Sequence, residues 1–288
     1  MTPPLDPRQI RRAFGRAAAT YNAHAVLQHE VELRLLERLD FLPREPRVVL
    51  DIGCGPGRAS AAMRKRWTSA QTIALDLALP MLHRVKPGWL RPLARVNADA
   101  RALPFAEASV DVLFSNLCIQ WIDDLPALFG EFRRVLRPGA YLALSTFGPD
   151  TLHELRSAWA HADRMPHVGQ FADIARVGDA LLHAGFRDPV LDAEHFTLTY
   201  ASAPELMREL KAIGATNADA TRRRGLTGKS HWRRAVDAYE TYRRDGKLPA
   251  TYEVVYAHAW APEPGQPRRA GGGDIATFSV DKLRGSRR

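Results

Sequence analysis

The chain has 288 residues, 45% hydrophobic and 25% charged, ordinary proportions for a folded protein with one substantial core. No apolar run reaches membrane-spanning length, and two cysteines, Cys54 and Cys118, without metal-ligand company leave no basis for a disulfide framework or a metal site. A net charge of +9 and a pI near 9.9 point to an acidic partner, although zinc-finger spacing and single-strand-binding aromatic patterns are missing. Met1 to Arg12 is short, charged and proline-containing rather than an apolar leader, so a cytoplasmic location is expected.

From Asp6 to Leu39 the pattern is helical, with Phe14, Ala18, Tyr21, Ala25, Gln28 and Val31 three or four residues apart. Pro43 and Pro46 end this arm, taken as residues 1–46. Val48 to Ile52 then reads as a buried parallel strand that breaks into glycines at alternate positions, Gly53, Gly55 and Gly57, with Asp51 just before them. A helix over Arg58–Trp67 would aim its first amides at the occupant of that turn. A phosphate-binding loop would need Gly-Lys-Ser/Thr here, and a dinucleotide turn would need a glycine where Arg58 stands. The turn therefore suits another nucleotide-like small molecule.

Three further strands end on polar residues: Thr72–Asp76, Val96–Ala100 around Asp99, and Val110–Asn116. A turn at Leu136–Ala140 leads into a fifth strand over Tyr141–Ser145. Asp150 is expected to cap a helix through Ala160, and Ile174–Ala184 reads as another helix stopped by Gly185. Val190–Tyr200 alternates as a sixth strand, and Thr251–Trp260 as a last, antiparallel one. Helices over Pro204–Ile213 and Leu226–Arg244 fall between these two, a helical insertion over residues 201–248. The expected fold is α/β: a seven-stranded, mostly parallel sheet over residues 47–261, followed by a basic Pro/Gly-rich tail over 262–288 in which Ile275–Val280 would pair locally.

The D-x-G-x-G-x-G turn with its later strand-end acids resembles the signature of class I S-adenosylmethionine-dependent methyltransferases, a Rossmann-like fold. The resemblance implies a cofactor site at Asp51, Gly53, Gly55 and Gly57, with Asp76 on the ribose diol. It implies that Asp99 accepts from the adenine amine beside Ala100, and that Asn116 ends the strand toward which the sulfonium methyl points.

A narrower resemblance is to the malonyl-carrier-protein O-methyltransferases of biotin synthesis. It rests on Phe14, Tyr21, His24, Ala25 and Gln28 in the arm, Ser115-Asn116-Leu117 with Gln120-Trp121, and Pro166-His167 before Phe171. It continues through Leu210-Lys211, Ile213-Gly214-Ala215-Thr216, Leu226-Thr227 and Ala250-Thr251-Tyr252. It implies esterification of the free carboxylate of a malonyl thioester by S-adenosylmethionine, leaving S-adenosylhomocysteine. A carboxylate with a pKa of about 4 is already ionised at neutral pH, so no general base is expected and no catalytic residue is assigned. The enzyme has only to hold the oxygen in line with the methyl carbon at about 3 Å and exclude water.

On this resemblance Tyr21 and His24 would position substrate, with Gln28 on the same helical face against the cofactor. Gln120 and Trp121 would sit where the acceptor approaches, and Lys211 would pair with its carboxylate or its phosphopantetheine. Each has a plain rival reading: packing for the aromatic and amide groups, a solvated helix cation for Lys211. His167 reads as pocket lining or structural. Arg222, Arg223, Arg224, Lys229 and Arg233 would dock an acidic acyl carrier protein, with the enzyme a monomer engaging neither nucleic acid nor membrane. Three other readings stand beside this one. The first is a related protein-directed assembly factor of the arginine-hydroxylase type. The second is an RNA methyltransferase favoured by charge alone, and the third a non-catalytic cofactor-binding protein.

Overall fold

β1 (Val48–Ile52) lies mid-sheet, and every residue after Val48 in it is buried. An unbroken apolar strand is stable only when both sheet faces are covered, which is what parallel crossover helices provide. The computed structural model describes residues 5–86, 88, 93–223, 225–263, 268–270 and 273–275. Its main sheet runs in the order β3-β2-β1-β4-β5-β7-β6, with β2 (Gln71–Asp76), β3 (Ala94–Asn97), β4 (Val110–Ser115), β5 (Leu136–Phe147), β6 (Arg187–Tyr200) and β7 (Leu248–Trp260). β7 pairs antiparallel with both β5 and β6, and the other pairs are parallel.

One face is closed by the arm helix α3 (Val26–Glu37), by α4 (Arg58–Arg66), and by α7 (His153–Ala160), which packs with the insertion helix α10 (Lys229–Glu240), itself against α9 (Ala203–Ala212). The other is closed by α6 (Leu125–Val135) and α8 (Ile174–His183), whose Phe129, Phe132 and Leu181 are fully buried. Chain order reverses between β1–β2 and β1–β4, so the carboxyl ends of these strands frame a crevice. Among the described residues no helix is long and apolar enough to cross a membrane.

The arm is three helices rather than one. α1 (Pro7–Ala17) starts on an Asp6 cap, whose carboxylate accepts from the Arg8 and Gln9 amides. α2 (Tyr21–His24) ends at Ala25, where φ −84° and ψ 45° break the helix before α3. Five bonds fasten the arm across the crevice: the Leu5 amide to Asp123 (2.8 Å), the Asp6 amide to the Ala218 carbonyl (2.8 Å), Arg222 Nη2 to Asp6 Oδ2 (3.2 Å), Thr20 Oγ1 to the Ala212 carbonyl (2.7 Å), and Asn116 Nδ2 to the Gln28 carbonyl (3.1 Å).

Several elements differ from the sequence expectation. Asp150 does not cap α7: Leu152 takes left-handed backbone (φ 55°) in the cap position, while the Asp150 carboxylate faces His195 at 3.3 Å. α10 runs over Lys229–Glu240 rather than Leu226–Arg244, with Gly228 in extended backbone at its start and a turn through Asp245 and Gly246, both at positive φ, beyond its end. In the tail, β8 (Arg268–Ala270) pairs with β9 (Gly273–Ile275), so local pairing starts earlier than expected; residues 276–280 lie outside the described residues.

Candidate active site

The turn after β1 is built by its neighbours. Gly53 and Cys54 both donate their amides to the Leu75 carbonyl, at 2.9 and 3.0 Å, which ties the turn to β2. Gly53 has φ +69°, and a Cβ there would collide with the Cys118 sulfur. Gly57 caps α4 at φ +81°, where a Cβ would come within 2.8 Å of the Val85 side chain. The Gly55 amide donates to Asp76 Oδ2 at 2.9 Å, and Asp76 Oδ1 accepts from the Ala78 amide at 2.7 Å. Asp76 is only 9% exposed, and burial, partly offset by these bonds, pushes its carboxyl up to about 6.

The crevice has two lobes sharing Tyr21, Gly53, Gly55 and Asn116. The smaller, about 370 Å³, is polar: Gln28, His29 and Glu32 reach it from α3, Asp51 from β1 and Arg58 from the start of α4. Asp51 is fully enclosed and accepts from the Ser60 hydroxyl; burial and the nearby Asp76 charge push it up to about 7. Glu32 is likewise pushed up to about 7 by burial and by Asp51, against the opposing pull of Arg58, whose Nε lies 3.4 Å away. Glu32 Oε1 and His29 Nε2 are buried without a hydrogen-bond partner, and burial with Arg58 holds the imidazole below its usual range.

The larger lobe, about 780 Å³, is mainly apolar. Pro7, Ile10 and Phe14 of α1 face Trp121 and Ile122, with Phe14 and Trp121 in edge contact at 5.3 Å. Asp76, Asp99, Ala100 and Arg101 line its other side. Asp99 is clamped by Arg101, whose Nε and Nη2 donate at 2.9 and 2.5 Å, holding the carboxyl below the usual range. Burial pushes the Cys118 thiol up to about 12, and Cys54 is raised too, so neither is an activated nucleophile.

Ten expected site residues thus meet in the two lobes: Tyr21, Gln28, Asp51, Gly53, Gly55, Asp76, Asp99, Ala100, Asn116 and Trp121. Four stand outside. Gly57 shapes the turn without lining it, and Gln120 is turned inward, its Nε2 donating to the Leu117 carbonyl at 2.7 Å. His24 is exposed because the helix breaks at Ala25, which ends the regular spacing from Tyr21 to Gln28; Lys211 is exposed at the end of α9. His167 lines neither lobe: its ring stacks on Trp159 at 3.8 Å and bonds Asp163, a structural role.

Of the expected docking cations, Arg222 is turned into the fold, pairing with Asp6 at 3.2 Å and the Asp219 carbonyl at 2.9 Å. Arg223, Lys229 and Arg233 are exposed, and Arg224 lies outside the described residues. Sequence reasoning missed Glu32, His29, Arg58 and the α1 wall. The signal for Glu32 was its position one turn beyond Gln28 on the same helix.

A methyltransferase-domain family model matches residues 50–144. The malonyl-[acyl-carrier protein] O-methyltransferase of Xylella fastidiosa is 55% identical over 283 residues, covering 97% of this chain and 96% of that protein. The protein of that name from Methylovorus sp. is 49% identical over 268 residues, covering 90% of each. Among solved structures, the [4+2]-cyclase SpnF aligns with a TM-score of 0.59 at 18% identity, covering 91% of this chain and 99% of that one. At that identity the likeness shows the fold alone.

S-adenosylmethionine fits the donor set. An ammonium group suits Glu32 Oε1, which lies beside Asp51 and has Arg58 at 3.4 Å but no hydrogen-bond donor; a carboxylate suits Arg58, and Asp76 stands at the strand end for a diol. Glycines shape a backbone close enough to admit it. By identity and coverage, the chain belongs to the malonyl-[acyl-carrier protein] O-methyltransferase family.

Proposed function

We propose that this protein methylates the free carboxylate of a malonyl thioester held on an acyl carrier protein, an early step of biotin synthesis. The observation that carries the reading is that every titratable group described in the larger lobe's lining is engaged by a partner or held protonated. Among the described residues no histidine or lysine lines it, the Asp76 carboxylate accepts the Gly55 and Ala78 amides, Arg101 and Asp99 satisfy each other, and burial raises both the Tyr21 phenol and the Cys118 thiol. A lobe of this kind, with its carboxylates already engaged, suits an acceptor that arrives ionised.

When bound, S-adenosylmethionine supplies an electrophilic methyl group and leaves as the neutral S-adenosylhomocysteine. Glu32, Asp51 and Arg58 would hold its amino-acid end, Asp76 its ribose, and Asp99 with Ala100 its adenine edge. The chain's own contribution is placement and dryness. Phe14, Trp121 and Ile122 would fix the thioester arm and keep water from the reacting oxygen. This reading places a monomer in the cytoplasm, acting on a carrier rather than on nucleic acid or a membrane surface.

The test is transfer of labelled methyl from S-adenosylmethionine to malonyl-loaded carrier, with acetyl-loaded carrier as control. Base-labile label on the malonyl form alone is the expected result. Cofactor binding without transfer would redirect the reading to a protein-directed acceptor.

A further inference from the structure

The insertion was expected to supply the docking cations, yet the fold consumes one of them, Arg222, along with other arginines of the same segment. Arg222 pairs with Asp6, Arg234 donates to the Ala162 carbonyl, and Arg243 pairs with Glu240. α1 is different. Arg8, Arg11, Arg12 and Arg16 are all exposed, and none has an acidic partner among the described residues. At about 3.6 residues per turn and 1.5 Å per residue they form one stripe about 12 Å long. The opposite side of the same helix carries Pro7, Ile10 and Phe14, the wall of the larger lobe. The only nearby acid on the helix boundary, Asp6, is occupied by the cap and by Arg222.

Unpaired arginines on one stripe repel one another, a cost that an acidic partner surface would remove. Their position behind the wall of the acceptor lobe makes the stripe useful for delivery. We infer that the Arg8–Arg12–Arg16 stripe of α1 is the docking surface for the acidic carrier protein, seating it so that its thioester arm enters the larger lobe beside Phe14 and Trp121. This inference rests on the proposed carrier-borne acceptor. Asp6 and the Asp6–Arg222 pair hold the N-terminal end of the stripe in register with the insertion, whose exposed Arg223 extends the positive surface. Arg–carboxylate pairs at the rim chiefly raise the association rate and weaken with salt.

The experiment compares the wild type with Arg8→Glu/Arg12→Glu/Arg16→Glu and with the milder Arg12→Ala/Arg16→Ala. Three readouts are taken: binding of unloaded carrier protein by fluorescence anisotropy, KM for malonyl-loaded carrier, and KM for malonyl-pantetheine, which lacks the carrier. S-adenosylhomocysteine affinity reports whether each variant is folded. The expected result is carrier binding and carrier KM weakened about tenfold or more by the triple reversal. The double variant should lose about threefold, and malonyl-pantetheine KM should not change. Unchanged carrier binding overturns the inference, as does equal loss on both acceptors, which would place the arginines' effect in the lobe itself. Loss confined to Arg223→Glu/Lys229→Glu/Arg233→Glu overturns it in favour of the insertion. If the wild type methylates neither thioester the functional reading fails, while carrier binding still decides the docking surface.

Discussion

In the smaller lobe Glu32, Asp51 and Arg58 bring three charges together from α3, β1 and α4, all at least partly withdrawn from water. In the larger lobe Ile10, Phe14, Trp121 and Ile122 form walls without an unpaired charge. Buried charges without full partners are costly, so the smaller lobe is poised for a ligand that completes them. Apolar walls left open to water carry only a hydrophobic cost, which an acceptor relieves when it displaces that water. Recognition of the cofactor's polar end is thus electrostatic, whereas handling of the acceptor is a matter of shape. The two tasks are separable by mutation.

The largest expected effect is at the boundary. Asp76→Ala removes the acceptor for the Gly55 and Ala78 amides, loosening the turn shared by both lobes. Cofactor affinity should fall by more than about tenfold and the melting temperature should drop, since each freed buried amide costs about 1–3 kcal/mol. Calorimetry showing an unchanged dissociation constant would remove Asp76 from the site. Next, Trp121→Ala should raise acceptor KM about tenfold while cofactor affinity stays within about threefold, as expected for loss of a large apolar wall. Equal losses of both would mean the lobes are not separable.

The smallest effect is in pH. Glu32 is raised to about 7 from 4.5, so between those values the native state keeps a proton that the unfolded chain has released. Native stability therefore declines across that range as pH rises. A bound ammonium favours the carboxylate, so affinity for S-adenosylhomocysteine should climb about fivefold from pH 6 to pH 8. Glu32→Gln should remove at least half of that slope on a logarithmic scale, with Asp51 supplying the remainder. A slope unaltered by Glu32→Gln would assign all of it to Asp51.

The sheet was legible because its central strands are uninterrupted apolar runs, and the glycine turn because backbone at positive φ admits few other residues. Asp76 and Asp99 were legible as acids closing strands. Glu32 was not, because on a helix it looks like any solvated carboxylate; its burial comes from docking α3 against β1 and α4. His24 misled for the converse reason. Regular spacing assumes a continuous helix, and the break at Ala25 rotates one turn away from the next. Asp150 had the composition of a cap, but the chain enters α7 through left-handed backbone at Leu152, whose amide is held by the Thr251 carbonyl at 2.6 Å.

Asn116 carries one further consequence. Its Nδ2 holds the Gln28 carbonyl and its Oδ1 accepts from Ser145 at 2.8 Å, so a single amide clasps the arm to the sheet. Glu32, Tyr21 and Phe14 reach the crevice only from the clasped arm, which makes arm folding part of every binding equilibrium at this crevice. If the arm is docked in a fraction f of molecules, the apparent dissociation constant is the intrinsic one divided by f. Affinity is then a gauge of arm order, and a substitution far from any ligand, such as Thr20→Val at the Ala212 carbonyl, would register on it as loosened binding.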